Sequence, residues 1–254
     1  MAGDLSLPRI LCLHGGGVNA QVFELQCRSI LARLKSNFRF VFINGPFPCP
    51  AHPAIVAVYG DMGPFYRWVP WLDEHEPIED SLAATLITER ILGSMRRDPG
   101  TGPWVGVLGF SQGAKMAASL LWAQERVREL HLGDPKTNFR FGVLLAGAGP
   151  IIHLDSRVPQ TRHVEGAGQM ALEFTDWPAD SNGDHAIRTE TLHVHGLRDS
   201  GLEWHRRLFS KYCKGGSTRL MEWDGDHRVP IKTAEVAAIV KDILDMAEGV
   251  DGMT

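Results

Sequence analysis

Short apolar runs alternate along the chain with longer segments in which apolar residues recur every three or four positions. Glycine or asparagine follows each run within two residues, which is typical of buried strands that end in turns. The runs predict six strands, at Arg9–Leu13, Arg39–Ile43, Trp104–Leu108, Phe141–Leu145, Thr191–His195 and Arg219–Trp223. The periodic segments predict helices over Ala20–Lys35, Ala114–Glu129 and Thr233–Met246.

Alternation of nearly all-apolar strands with helices predicts an α/β protein with a parallel sheet covered on both faces. Ligands of such sheets bind beyond the carboxyl ends of the strands, so the loops after the strands are the places to search for chemistry. Two irregular stretches, about 47–77 and 151–188, are rich in Pro, Gly, Trp and Phe, and long connections are typical of functional loops or lids. We find no internal repeat or linker and predict one domain over 1–254.

Composition and charge exclude several classes of protein and of binding partner. The chain has 254 residues, 44% hydrophobic and 22% charged, which excludes disordered, collagen-like and coiled-coil proteins. Its net charge of -4 offers no basic field, so neither nucleic acid nor a membrane is an expected partner. Its four cysteines have no zinc-type spacing, and the N-terminal segment lacks the basic region of a signal peptide. We therefore expect free thiols and a cytoplasmic location.

The segment Gly109-Phe110-Ser111-Gln112-Gly113 is a G-x-S-x-G motif between a predicted strand and a predicted helix. In that context the motif is typical of a sharp strand-to-helix turn that exposes a nucleophilic serine. Glycine is needed on both sides because the turn is sterically crowded. The simpler alternative is a glycine turn in which Ser111 only caps the helix. The strand and helix around it favour a nucleophile.

The glycine turn Gly15–Gly17 follows His14 and the first predicted strand. A tetrahedral intermediate needs at least two fixed N–H donors, and the backbone of Gln112, directly after the serine, supplies one. Gly16 is the predicted second donor, with Gly17 as the other choice. The turn is not a phosphate-binding loop of the G-x-G-x-x-G or G-x-x-x-x-G-K-[ST] type. We expect His14 to brace the loop rather than to act as a base.

A serine nucleophile needs a general base and an acid that orients it, in the chain order Ser, Asp or Glu, His. Only His227 lies in a loop between a late predicted strand and the last helix, so it is the predicted base. Asp199 follows the fifth strand and is the predicted acid. Asp224 and Asp226 are loop neighbours of the histidine and are expected to be solvated or to form turns. Three more aspartates lie in an irregular stretch with no strand to present them: Asp176, Asp180 and Asp184.

Two further patterns bear on ligands. His193 and His195 fall on one side of a predicted strand, as in some metal sites, but no third and fourth ligand has suitable spacing, so we assign no metal. Aromatic residues crowd the two irregular stretches, and the candidates for an acyl pocket are Phe65, Trp68, Trp71, Phe174 and Trp177. The alternative is local packing under long loops. A pocket lined in this way would take an apolar ligand, either aromatic or long-chain.

With these residues in place, the chain resembles the FSH-type family of serine hydrolases, a branch of the α/β-hydrolases. The matching stretches, in family order, are Ile10–Gly15 with Asn19, Ala20 and Phe23, then Gly106–Ala114, His195–Asp199 and Gly225–Pro230. The resemblance spans roughly residues 8–246, and GFSQGA is its most specific part. The triple glycine departs from family members that have a bulky residue after His-Gly. The resemblance implies an α/β-hydrolase fold with lid-like insertions and a Ser111–Asp199–His227 triad.

The resemblance also implies esterase or thioesterase activity without a cofactor. Fungal members that look most like this chain act beside iterative polyketide synthases, where they hydrolyse the thioester that tethers a chain to the carrier domain. We therefore expect an acyl substrate, small or carrier-bound, with a polyketide synthase carrier domain as the partner. The alternative is a general carboxylesterase of short or medium acyl esters. An inactive hydrolase fold that only binds a partner is the alternative from another class, and the intact Ser, Asp and His argue against it.

Overall fold

A six-stranded parallel sheet forms the centre of the computed structural model, which describes residues 4–170 and 174–249. Its strands are β1 (Arg9–Leu13), β2 (Arg39–Ile43), β5 (Trp104–Phe110), β6 (Phe141–Leu145), β7 (Glu190–Gly196) and β8 (Thr218–Trp223). They lie in the order β2-β1-β5-β6-β7-β8, and every neighbouring pair is parallel. All six carboxyl ends therefore meet at one edge. A separate antiparallel hairpin joins β3 (Phe47–Cys49) to β4 (Phe65–Arg67).

Helices cover both faces of the sheet. They are α1 (Ala20–Gln26), α2 (Arg28–Leu34), α3 (Pro53–Tyr59), α4 (Asp80–Arg97), α5 (Gln112–Glu129), α6 (Leu202–Arg207) and α7 (Thr233–Gly249). Side chains alternate across β1, so Leu11 and Leu13 join a core with α4 and α5. Ile10 and Cys12 join the opposite core, with α1, α2 and α7. The α/β architecture predicted from the alternating pattern is confirmed.

The predicted strands agree with the observed ones to within two residues, and the predicted last helix begins at the observed residue, Thr233. The predicted helix Ala20–Lys35 is divided in two at Cys27, whose ψ of −2° departs from the value of about −42° typical of an α-helix. Phe23 before the break and Ile30 after it are both buried in the same core. The helical spacing of apolar residues therefore continues across the break, so the sequence pattern does not reveal it.

The stretch 47–77 is less irregular than predicted, since it contains β3, α3 and β4. Pro53 occupies the first turn of α3, and the His52 ring accepts a hydrogen bond from the Ala54 N–H at 3.2 Å. The second stretch, 151–188, has no helix or strand within its described residues, and 171–173 lie outside them. Helix α4 was not predicted. None of the described helices combines the length and apolar character that crossing a membrane requires.

Candidate active site

Ser111 lies on the turn between β5 and α5 with φ 55° and ψ −118°, a backbone conformation that residues with a Cβ rarely adopt. A Cβ at Gly109 would lie 2.2 Å from the Gly113 carbonyl oxygen. A Cβ at Gly113 would lie 1.9 Å from the Leu13 carbonyl oxygen. Both flanking positions therefore require glycine, which is the physical content of the G-x-S-x-G pattern. The turn holds Ser111 at the carboxyl edge of the sheet.

A cleft of about 930 Å³ opens at this edge. Ser111, Asp199, His227 and Gly16 all line it, although they come from four separate loops. Asp199 follows β7, and His227 lies in the loop between β8 and α7. The parallel register brings these loops together because each follows the carboxyl end of a strand. The sequence-predicted serine, aspartate and histidine are thus neighbours in one cleft.

Asp199 and His227 form a close pair, with 2.6 Å between Asp199 Oδ2 and His227 Nδ1. The second carboxylate oxygen accepts the Gly201 N–H at 2.8 Å. Burial raises the pKa of the Asp199 carboxyl, but hydrogen bonds from His227 and Gly201 outweigh burial, so the pKa lies below its ordinary value. An ionised carboxylate only accepts hydrogen bonds, so Nδ1 of His227 carries the proton and Nε2 is left to accept one.

The aspartates considered as alternatives have other partners. Asp224 pairs with Arg198 at 2.8 Å, and Asp226 pairs with Arg228 at 3.0 Å. These four side chains are 47–75% exposed. The three aspartates of the irregular stretch are bound locally, with Asp176 on Arg162, Asp180 on the Asn182 N–H and Asp184 near His185. Only Asp199 among these aspartates is hydrogen-bonded to His227.

The backbone N–H groups of Gly16 and Gly17, in the glycine turn next to α5, differ in whether they already have an acceptor. The Gly17 N–H already donates to the Tyr66 carbonyl at 3.0 Å. Within the described residues, the Gly16 N–H has no hydrogen-bond acceptor. A Cβ at Gly16 would lie 2.9 Å from the side-chain amide of Gln112, so the two residues that were predicted to hold an oxyanion are adjacent. The geometry favours Gly16 over Gly17 as the donor.

Two side chains fix this turn in place. His14 is fully buried, with Nδ1 2.6 Å from the Gly15 carbonyl and Nε2 accepting the Gly45 N–H at 2.9 Å. Burial lowers the pKa of His14 to about 4, so the ring is neutral at pH 7. The Gln112 side chain accepts the Trp68 N–H at 3.1 Å and donates to the Val69 carbonyl at 3.2 Å. His14 therefore braces the loop, as the sequence suggested.

The five aromatic residues that were predicted to line an acyl pocket do not line this cleft. Trp68 is 0% exposed, and its indole N–H donates to the His14 carbonyl at 2.9 Å. Phe65 is buried in a small cluster behind the cleft wall. Trp71 packs on His75, and Phe174 packs edge-on against Trp177, which also contacts Trp204. These five residues therefore lie outside the cleft that contains Ser111 and take part in local packing.

Other apolar residues, both aliphatic and aromatic, line the cleft instead. One wall carries Ile55, Val58 and Tyr59 from α3, and the other carries Val229 and Ile231 from the loop before α7. Val58 is 73% exposed, so this apolar surface is open to a ligand. Sequence reasoning missed these residues because it did not predict α3. Pro53 directly after a polar residue is a typical helix-start signal and could have revealed it.

Four histidine rings extend from the cleft into the interior. Ring centroids are 5.8 Å apart between His227 and His205, 5.6 Å between His205 and His195, and 5.9 Å between His195 and His193. His205, on α6, is 2% exposed, and its Nδ1 lies 3.8 Å from Asp199 Oδ2. Burial lowers the pKa of His205 to about 4. His205 could not be singled out from the sequence, because helical spacing alone gives no signal for it.

An all-parallel sheet with helices on both faces and a strained serine at the strand-to-helix turn defines the α/β-hydrolase fold. Solved structures with this fold resemble the chain. Acyl-protein thioesterase 2 of Zea mays is 16% identical with a TM-score of 0.55, over 96% of this chain and 95% of that one. A carboxylesterase from Mesorhizobium loti is 17% identical with a TM-score of 0.54, over 96% and 91%.

The chain belongs to the serine hydrolase (FSH1) family, whose model matches residues 4–239. Esterase claE of Penicillium crustosum is 45% identical over 249 residues, which cover 96% of this chain and 94% of that protein. Esterase citA of Monascus ruber is 44% identical over 247 residues, covering 96% and 93%. The family resemblance drawn from the motifs is confirmed, and the protein is a serine hydrolase of the esterase class.

Proposed function

We propose that this enzyme cleaves an acyl thioester or ester through Ser111, with His227 as general base and Asp199 as the acid that orients it. The observation that carries the proposal is the 2.6 Å contact between Asp199 and His227 in the cleft that also exposes Ser111. This contact keeps the proton on Nδ1 and leaves Nε2 to accept one. The reaction so written needs no cofactor.

In the first half of the reaction, His227 Nε2 removes the proton of Ser111 Oγ as the oxygen attacks the acyl carbonyl carbon. The N–H groups of Gly16 and Gln112 hold the resulting oxyanion, and the N-terminal end of α5 adds partial positive charge. The carbon–sulfur or carbon–oxygen bond of the substrate then breaks. His227 returns its proton to the leaving thiol or alcohol, and the acyl group stays on Ser111.

In the second half, water attacks the acyl-enzyme while His227 takes one of its protons. The bond to Ser111 Oγ breaks, the proton passes to the serine, and the free acid leaves. Removal of one N–H donor to the oxyanion raises the activation free energy of an acyl-transfer enzyme by about 3 kcal/mol. Thioesters and oxygen esters share this acyl-enzyme, so the leaving group is chosen by the cleft and not by the triad.

The apolar side chains that line the cleft support an apolar acyl group as the substrate. We propose more specifically that the enzyme releases a polyketide chain from the carrier domain of its synthase, in secondary metabolism. This finer assignment rests on the resemblance to fungal FSH-type members and on the 44–45% identity to the fungal esterases. A cytoplasmic setting belongs to the same proposal and fits the four free cysteines, three of which are buried.

The first experiment is intact-mass analysis after exposure to a fluorophosphonate, with wild type compared with Ser111→Ala. We expect one adduct on wild type and none on the variant. An adduct that persists in Ser111→Ala contradicts Ser111 as nucleophile. A folded wild type without any adduct contradicts the hydrolase mechanism and favours a protein that only binds a partner.

The second experiment compares kcat/KM for one acyl group presented as a carrier-bound thioester and as a small activated ester. Carrier delivery predicts a clear preference for the carrier-bound form, because the partner positions the acyl chain in the cleft. Equal turnover of many small esters, with no gain from the carrier, contradicts the release function and indicates a general carboxylesterase. Both results leave the serine mechanism in place.

A further inference from the structure

His205 is a buried ring that the proposed mechanism does not use. Its Nδ1 has no hydrogen-bond partner among the described residues, although the side chain is almost fully buried. That nitrogen lies 3.8 Å from Asp199 Oδ2, and His227 Nδ1 lies 2.6 Å from the same oxygen. One ligand atom from each of these three side chains falls within 4.8 Å of the other two. Two imidazole nitrogens and a carboxylate oxygen therefore lie close together.

We propose that Asp199, His205 and His227 form an inhibitory binding site for a divalent transition-metal cation of the Zn²⁺ type. Zinc holds nitrogen and oxygen ligands at about 2.0–2.2 Å in tetrahedral geometry, which places neighbouring ligand atoms about 3.3 Å apart. The two distances from Asp199 Oδ2 lie on either side of that value, and all three ligand atoms lie within 4.8 Å of one another, so the side chains must shift toward a common centre to complete the set. The His227 side chain is 41% exposed, which gives the cation a route from the cleft and leaves room for a water ligand.

The site inhibits by changing which nitrogen of His227 carries the proton. A cation on Nδ1 replaces the proton there, and the neutral ring then carries its proton on Nε2. That nitrogen is the one that must accept the Ser111 proton, so the base is lost without any change in fold. An orienting group that selects the wrong tautomer costs a serine protease about 10⁴ in kcat. The inhibitory effect rests on the proposed function, whereas the binding itself does not.

A second histidine in the cleft offers a competing explanation for any metal effect. His52 lines the same cleft, and its Nδ1 accepts the Ala54 N–H at the start of α3. An exposed cation bridge between His52 and His227 would also inhibit. His52→Ala is therefore the matched control. Magnesium is the control cation, because it prefers oxygen ligands and would not bind a site with two imidazoles.

Binding is tested first, by calorimetric titration of ZnCl₂ into the Ser111→Ala protein, which keeps all three ligands and needs no turnover. We expect one zinc per chain. His205→Phe and the smaller His205→Asn should weaken binding at least about tenfold, since even outer-shell partners of metal ligands are worth 10–100-fold in affinity. A melting curve checks that each variant is folded. His227→Ala changes a partly exposed ring, so it reports on the site even if the buried position tolerates no change.

Inhibition is then measured on the enzyme with its serine intact, as the rate with zinc relative to each protein's own metal-free rate. We expect zinc to inhibit wild type and His52→Ala alike, EDTA to restore both, and the His205 variants to need at least about tenfold more zinc. Absence of saturable binding overturns the proposal, and so does unchanged zinc binding in His205→Asn or His227→Ala. Loss of inhibition in His52→Ala also overturns it, by moving the site to the cleft mouth. If the wild-type protein binds zinc but has no hydrolase activity, the proposed function is contradicted and the proposed metal site still stands.

Discussion

Replacement of Asp199 by asparagine tests the tautomer argument with a change of one atom. Asp199 Oδ1 accepts the Gly201 N–H at 2.8 Å. An asparagine amide must keep its oxygen on that side, because its NH₂ group there would face a second donor. The NH₂ group then faces His227 Nδ1 and selects the ring form whose proton is on Nε2. The base is thus disabled while the shape of the site is kept.

The expected loss in kcat is about 10⁴, which corresponds to a barrier higher by about 5 kcal/mol. The hydrogen bond being replaced is short, at 2.6 Å, and its carboxylate is buried, so solvent does not screen the change. The fold should remain, because the Gly201 contact persists and asparagine has the volume of aspartate. A turnover loss without a fold change separates this effect from general destabilisation.

The assay is steady-state hydrolysis of a p-nitrophenyl ester at pH 7–8, with a thermal melt of each protein. Asp226→Asn is the matched control, since it removes a carboxylate one residue from His227 that pairs instead with Arg228. We expect the control to keep its rate to within a factor of about two, which is the effect of a surface substitution. Near-wild-type turnover in Asp199→Asn, or a large loss in Asp226→Asn, refutes the assignment of the acid.

Three further predictions concern stability and specificity. Asp98→Asn should lower the free energy of unfolding by about 2 kcal/mol at pH 7, because the buried carboxylate binds Arg39 at 2.7 Å. Burial raises the pKa of Asp98, but its hydrogen bonds have the larger, opposite effect, so the pKa in the folded protein lies below its ordinary value. The stabilisation is therefore present above the unfolded pKa of about 3.9 and is lost as the pH falls through the lower folded pKa. Trp68→Phe should cost about 1–2 kcal/mol of stability in a denaturant titration, by removing the hydrogen bond to the His14 carbonyl, and leave acyl-chain preference unchanged. Val58→Asp should lower kcat/KM for an octanoyl ester about tenfold and spare the acetyl ester, because about 1.4 kcal/mol of apolar contact is lost.

Each of these has an outcome that contradicts it. If Asp98→Asn is as much less stable than wild type at pH 2 as at pH 7, the stabilisation does not come from the ionised Asp98 carboxylate on Arg39. A changed acyl-chain preference in Trp68→Phe would return that ring to the substrate pocket. An equal loss for both esters in Val58→Asp indicates a distorted cleft rather than a missing contact.

The sheet could be predicted because each strand is a short apolar run with a glycine or asparagine within two residues after it. The inner strands β1, β5, β6 and β7 are buried on both faces, which favours apolar residues at successive positions. The break at Cys27 could not be predicted, since the same apolar period serves both helices that flank it. Helix α3 and its hairpin were hidden within 47–77, where Pro and Gly suggested only irregular chain.

The candidate site could be predicted as far as chemistry follows from position along the strands. Ser111, Asp199 and His227 each come from a loop at the carboxyl edge, and parallel topology brings these loops together. The packing partners of the five aromatic residues could not be predicted, because aromatic density indicates burial without saying against what. Trp68 finds its partner in His14, 54 positions away along the chain. Such a contact exists only in the folded molecule.

The backbone at Ser111 makes the enzyme less stable than its own fold allows. A residue with a Cβ at φ 55° and ψ −118° costs about 1–3 kcal/mol, and glycine at that position would escape most of the cost. Ser111→Gly should therefore raise the melting temperature, whereas Ser111→Ala keeps the Cβ and should not. Stabilising selection in the laboratory, applied without an activity screen, would favour loss of the nucleophile. Thermostability and catalysis are opposed at this single residue.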